Sequence, residues 1–328
     1  MRQCCEIFDY QVYGLTLRAN RSLPGLIATS TRAPVDIEVN LAGDGTAEIN
    51  PDEKPDYFFK WQTHPKADGT YYQLQFRTCG RVNFEINPTG SKIRVIWTDA
   101  LLAEITAILI GSVLGCALRL RGKICLHASV IAIGQCAIAI IGVKGAGKST
   151  TAAALTKRGY PILADDVAVL TDYQETFLVQ PGYPRLRLWK PAVNALYGSE
   201  VGLPRVFRQI DKHFVELNQD GASAWRFHPE PLPLAAIYIL VNRQSELAAP
   251  SIEPISPQIG LMHLMTHRYP QFLKLDRDRQ AQEFALLSRL AATVPIRQVH
   301  QPDNLEKLPQ LCESILHDVQ LLTTGQLT

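Results

Sequence analysis

The stretch GVKGAGKST, Gly142 to Thr150, is bracketed by two unlike neighbours. The apolar run QCAIAIIG precedes it, and the alanine-rich STTAAALTKRG follows and stops at Gly159. A chain passing from a buried strand through a glycine-rich loop into a helix is committed to an α/β unit, with the loop at the strand's carboxyl end. The spacing G-x-x-x-x-G-K-[ST] is met by Gly142, Gly147, Lys148 and Ser149, and Lys144, Gly145, Ala146 and Thr150 complete the segment. Glycines let successive backbone N–H groups turn inward on a phosphate chain, and the helix N-terminus adds its dipole. In such loops the lysine reaches the outer phosphates and the following hydroxyl ligates Mg²⁺. The pattern predicts a nucleotide site.

Two carboxylates come next. PILADDVAVL reads as a strand whose end carries Asp165 and Asp166. In a parallel sheet that position lies at the carboxyl edge, beside the loop. Adjacent carboxylates can divide labour: one takes the proton of an attacking hydroxyl, the other holds Mg²⁺ or its water shell. His127, in LHAS, begins the strand before the loop strand. Its functional reading is a contact to phosphate or to Asp165, beside the commoner structural role of a lone histidine.

The first hundred residues look different. YQVYGLTLRA, VDIEVNLAG, YYQLQFRTCG, RVNFEINPTG and SKIRVIW alternate apolar and polar residues, with Pro34, Pro51, Pro55, Pro65 and Pro88 as breakers. This predicts half-exposed antiparallel strands in a β-rich accessory or docking domain, 1–120, with no chemistry of its own. Asp99 is the expected cap of an apolar helix over Ile105–Leu118 that ends near Arg121 and Gly122. Those fourteen residues lie between Glu104 and Arg119 and fall short of a bilayer span, so a buried helix is expected and no membrane. A catalytic domain, 121–320, should hold the strand PLAAIYILV, helices over LMHLMTH and DRQAQEFALLSRLAATV, a short strand IRQVH and an amphipathic terminal helix. Leu305, Leu308, Leu311, Cys312, Ile315 and Leu316 fall on one face of that helix, and 321–328 read as a tail.

Lys plus Arg number 33 against 31 Asp plus Glu, a formal charge of +2, which lacks the basic excess of a general nucleic-acid binder. Seven scattered cysteines with no C-x-x-C predict free thiols rather than a disulfide framework or a zinc site. The N-terminus MRQCCEIFDYQ lacks the apolar run of a signal peptide, so the expected location is cytoplasmic.

The run from His127 to Leu170 resembles the catalytic core of bacterial HPr kinase/phosphorylase and its relatives. The shared order is a strand-initial His, a phosphate loop, a helix ending in K-R-G, and L-A-D-D. The resemblance implies an α/β fold: a P-loop kinase core of the HPr kinase / phosphoenolpyruvate carboxykinase-like type, here behind a β-rich N-terminal domain. It implies ATP and Mg²⁺, and a serine or threonine hydroxyl on a protein or peptide as phospho-acceptor. By position Asp165 would be the general base, Asp166 and Ser149 would support the metal, and His127 would sit near the transferred phosphate. A homo-oligomer is a further implication. Two departures stand out. The family's glutamate signature, E-I-R-G, is replaced by VQPGYPRLRLWKPAV, where Arg185 and Arg187 offer charge instead. Its glycine- and arginine-rich loop near the C-terminus is also missing. Both departures argue against phosphorylase activity and for the divergent branch that modifies other targets, peptides included. A nucleotide-switch ATPase and a small-molecule kinase closed by the 200–230 region remain as alternatives.

Overall fold

Alternation in the first hundred residues becomes one sheet. The computed structural model describes residues 6–30, 33–43, 59–77, 80–218 and 225–324. Seven strands, β1 (Phe8–Val12), β2 (Leu15–Ala19), β3 (Ile37–Leu41), β4 (Phe59–Lys66), β5 (Gly69–Phe76), β6 (Arg81–Ile86) and β7 (Lys92–Thr98), lie in the order β1-β2-β3-β7-β6-β5-β4. In β3 and β7 every second side chain is buried. Three expectations need correction. YQVYGLTLRA is a hairpin, turned at Tyr13 and Gly14 with φ of 56° and 72°. The pairs β2–β3 and β3–β7 are parallel, because the connections between these strands are long enough to cross over. Pro65 does not break a strand: it lies in β4, at the sheet edge, where a missing N–H costs no ladder bond. Pro51 and Pro55 lie outside the described residues.

The apolar helix runs from Leu102 to Leu120, longer than its sequence core, and residues Leu109–Val113 are wound as a π-helix. Its cap is not Asp99, which sits upstream at φ 61°. Leu101 occupies the cap, and its N–H donates to the Glu104 carboxylate (3.2 Å). With 19 residues the helix is long and apolar enough to cross a bilayer, yet 83% of its most apolar window is buried inside the protein. It shares one core with Val39 and Val95 of the first sheet and with Val167, Val169 and Tyr183. Its apolarity is that of a helix covered over most of its surface rather than on one face.

The second sheet has nine strands. They are β8 (Ile124–Leu126), β9 (Ala128–Ile133), β10 (Cys136–Gly142), β11 (Ile162–Ala164), β12 (Ala168–Tyr173), β13 (Thr176–Gln180), β16 (Leu232–Leu240), β17 (Ser251–Pro254) and β18 (Ile296–His300). Between them in the chain, β14 (Arg185–Trp189) and β15 (Lys212–Glu216) form a separate ribbon. The order is β11-β9-β10-β16-β13-β12-β8, with β18 also against β16 and β17 beyond it. The sheet is mixed: β10–β16 and β16–β18 are parallel, whereas β9 is antiparallel to both β10 and β11. That reversal has a consequence for the site. The start of β9 and the ends of β10 and β11 meet at one edge.

PILADDVAVL is two strands, β11 and β12, broken at Asp165–Val167 where Asp166 takes φ 75°. Helices Lys148–Lys157 and Leu308–Thr324 pack on one face of this sheet, and Pro257–Thr266 and Arg277–Thr293 on the other. The terminal helix buries Leu311, Cys312, Ile315 and Val319 and continues to Thr324, through half of the expected tail; 325–328 lie outside the described residues. Leu305 does not join that face: it sits on a preceding 3-10 turn and is 42% exposed. Cys116, Cys125, Cys136 and Cys312 are free thiols, while Cys4, Cys5 and Cys79 lie outside the described residues.

Candidate active site

The loop after β10 needs its glycines. Gly142, Gly145 and Gly147 adopt φ of 154°, 88° and 106°, where side chains are strained. A Cβ on Gly142 would also come within 2.7 Å of the Leu240 carbonyl. Gly147 caps the helix Lys148–Lys157 without a side chain, leaving its first-turn N–H groups to a ligand. Val143, Lys144 and Gly145 form an exposed crown, whereas Ala146 and Lys148 are buried and Ser149 and Thr150 are half-buried. Lys148 Nζ folds back to donate to the carbonyls of Gly142 (2.8 Å) and Val143 (3.2 Å). Burial lowers its pKa, against the pull of Asp165 and Asp166.

Asp165 is buried and fully engaged. Its Oδ1 accepts from Ser129 Oγ (2.6 Å) and Ser149 Oγ (2.9 Å), and its Oδ2 from the backbone N–H of Arg187 (3.1 Å). Asp166 faces the other way. Its Oδ2 accepts from Arg187 Nη1 (2.8 Å), while Oδ1 lies 3.8 Å from His127 Nδ1. His127 Nδ1 donates instead to the Asp166 backbone carbonyl (2.8 Å), so the histidine meets Asp166 where Asp165 was expected. Burial pushes the Asp166 carboxyl up, but the charges of Arg187, Lys212, His127 and Lys148 outweigh it and hold the group well below the usual carboxylate range. Burial lowers the pKa of His127, opposed by Asp166, and its ring stacks on Tyr269 with centroids 5.3 Å apart.

Arg187 is the hub. Its Nε donates to Tyr183 Oη (2.7 Å), Nη1 to Asp166, and Nη2 to the carbonyl of Ala107 (2.9 Å) in the apolar helix. Arg185, two positions earlier, instead pairs with Glu216 and lies over the Phe214 ring. Three contacts tie the helix to its neighbours around the π turn. Ala107 O takes Arg187, Ile110 O takes the Tyr13 hydroxyl (3.1 Å), and Ser112 Oγ meets Tyr269 Oη (3.0 Å). Gly111 lies so close that a Cβ there would stand 4.0 Å from Asp166 Oδ2. The N-terminal half therefore packs against these residues through Tyr13 and the apolar helix.

Sequence reading brought together His127, Lys148, Ser149, Asp165 and Asp166, but Lys144 points away into solvent. It missed Ser129, Tyr183 and Tyr269. His127 does not begin a strand: it is the bend between β8 and β9, and Ser129 follows it as the second residue of β9. Tyr269 had no signal, because it arrives from a distant loop. Of the 200–230 region, Lys212 lends charge to Asp166, and 219–224 lie outside the described residues.

A bound phosphate chain fits these residues: three positive-φ glycines, free helix N–H groups and one buried ammonium converge on one loop. Among the described residues no group of three or more His, Cys, Asp or Glu could hold a metal by itself. A Ser149–Asp165 pair fits an Mg²⁺ that takes most ligands from phosphates and water.

No family model matches the chain, and no curated protein matches it. Among solved structures, the Hpr(Ser) kinase/phosphatase from Coxiella burnetii is similar at 13% identity and a TM-score of 0.33, over 62% of this chain and 93% of that one. A likeness that low carries no argument about fold or function.

Proposed function

We propose that this chain is a phosphotransferase that moves the γ-phosphate of ATP to a serine or threonine hydroxyl of a protein or peptide. One observation carries the reading: the phosphate-loop hydroxyl of Ser149 is hydrogen-bonded to Asp165 at 2.9 Å, and the neighbouring Asp166 faces His127 and Arg187 at the same sheet edge. A loop that only senses nucleotide has no need of a second carboxylate beside a histidine and an arginine.

The chain's own groups divide the work. The loop N–H groups and Lys148 hold the phosphates, with Lys148 leaving the carbonyls of Gly142 and Val143 to do so. A carboxylate of the Asp165–Asp166 pair takes the acceptor's hydroxyl proton as that oxygen bonds to phosphorus and ADP departs. Arg187 and His127 bring donors to the charge on the transferred group. Mg²⁺, when bound, would neutralise phosphate charge near Ser149.

In the sequence-based assignment Asp165 is the base. The geometry favours a second reading in which the two carboxylates exchange roles. Asp165 touches the metal serine and is 2% exposed, whereas the side chain of Asp166 is 17% exposed beside His127. Mass spectrometry of serine-containing peptides incubated with ATP, Mg²⁺ and the protein tests the function. One phosphate gained, lost in Lys148→Ala, is the expected result; its loss in Asp165→Asn as well would keep Asp165 as the base. ATP loss with no phosphorylated product would leave a nucleotide-switch ATPase. A higher Mg²⁺ requirement in Asp165→Asn, with transfer abolished only in Asp166→Asn, would select the exchanged roles.

A further inference from the structure

The parallel strands β10, β16 and β18 end at the same edge, and only the first ends in the phosphate loop. The loops after the other two carry Arg243 and Gln301–Leu305, and with the first turn of the Lys148–Lys157 helix they enclose a shallow cleft. The cleft is prebuilt. Gln244 N–H donates to Gln301 O (3.0 Å) and Asp303 N–H to Gln244 O (3.1 Å), which knits the two loops together. Buried Gln301 then ties them to the phosphate loop, its Nε2 donating to Ala146 O (2.7 Å) and Val241 O (3.2 Å).

The walls are mixed: Leu305 and Leu308 stand beside Asn304, Lys307 and the planar cation of Arg243, over a buried Pro302. Pro302 and Leu305 line the cleft, and Leu305 is 42% exposed on its short 3-10 turn. The Arg243 guanidinium reaches toward the phosphate loop, 3.2 Å from where a Cβ on Gly147 would be, and is held by Asp303 (3.5 Å). A guanidinium beside apolar faces suits a planar heterocycle, which stacks on both. Ligands of open α/β sheets lie across the carboxyl ends of adjacent parallel strands. A triphosphate seated on the loop at β10 thus has its nucleoside end over β16 and β18.

We infer that the cleft formed by Arg243, Pro302 and Leu305 beside the phosphate loop is the binding site for the nucleoside base of ATP. This rests on the nucleotide reading above and adds where the base is held. It also places the base away from Asp166 and His127, which leaves that side of the loop open to the acceptor.

The test is calorimetric titration of the full chain, with Mg²⁺, by ATP and separately by inorganic tripolyphosphate, which has the phosphates and no base. The unmodified protein should bind ATP at least about tenfold more tightly than tripolyphosphate, as burial of one flat apolar face implies. Leu305→Ser, a substitution at an exposed turn, should weaken ATP about tenfold and leave tripolyphosphate within about twofold. Arg243→Ala should weaken ATP more than tripolyphosphate. Equal losses for both ligands, or no loss of ATP in either variant, would overturn the base site while leaving the phosphate loop standing. Failure of the unmodified protein to bind either ligand would overturn the nucleotide reading itself.

Discussion

Two carboxylates, buried Glu283 and half-buried Asp166, lean on the same apolar helix, and they are built differently. Near the helix C-terminus, Glu283 accepts from Arg119 through both oxygens (2.7 and 2.8 Å) and from Arg268 (2.9 Å). Arg119 is itself filled, its remaining Nη1 donating to Pro270 O at 2.7 Å. At the π turn, Asp166 gives one oxygen to Arg187 (2.8 Å), and the other stands 3.8 Å from His127. In both clusters burial raises the carboxyl pKa and arginine charge overrides it. The difference lies in spare bonding capacity. A closed ion pair fixes two elements together, here the helix to the Pro270 and Glu283 segments. An open one, held at a positive-φ residue, leaves one carboxylate oxygen at 3.8 Å from a histidine nitrogen rather than within hydrogen-bond distance.

The largest effect should come from the closed cluster. Arg119→Met leaves a buried carboxylate with one partner in place of two and should cost about 3 kcal/mol of stability, measured by denaturant unfolding. A loss under about 1 kcal/mol would mean that this pair does not hold the fold, and the contrast would collapse. At the open cluster Arg187→Lys keeps the charge but not the three-way fork to Tyr183, Asp166 and Ala107. Phosphotransfer should fall about 100-fold there, with a smaller stability loss than in Arg119→Met. Matching stability losses with unchanged transfer would make Arg187 a second structural pair.

The smallest effect is a titration. Burial sets the folded pKa of His127 below its unfolded value of about 6.5. Its contribution to stability is therefore present above about pH 6.5 and lost as pH falls through the lower, folded value. The ring resonances followed by NMR should titrate below 6.5, and Asp166→Asn should move them lower still, because the carboxylate is what opposes burial. An upward move would show that Asp166 does not act on His127 through its charge.

Much of this was legible in the chain. The strand–loop–helix unit and the glycine positions follow from local sterics, since only glycine takes the backbone angles that the loop requires. The placement of Asp165 and Asp166 beside the loop was legible because they follow a strand that ends at the loop's edge of the sheet. IRQVH was read to the residue, from Ile296 to His300. The parallel pairing of β2, β3 and β7 was not legible, because alternation reports which face is buried and says nothing of strand direction. Nor was the cap at Leu101, since the Glu104 side chain and the turn at Asp99 decide it together.

By itself the sequence determined the local pieces: which segment would turn through glycines from a strand into a helix, which stretches would be strands, and which helix would be too apolar to face water. Only the tertiary structure decided what those pieces meet. Arg187 and Arg185 are equivalent as letters, yet one reaches Asp166 and the helix carbonyl of Ala107 while the other pairs with Glu216. Tyr13, Gly111 and Tyr269 come to one place from three distant parts of the chain. Local sterics act within a few residues and can be read in order along the chain. Contacts between distant segments depend on how the two sheets close over the buried helix, and no short stretch of sequence encodes that closure.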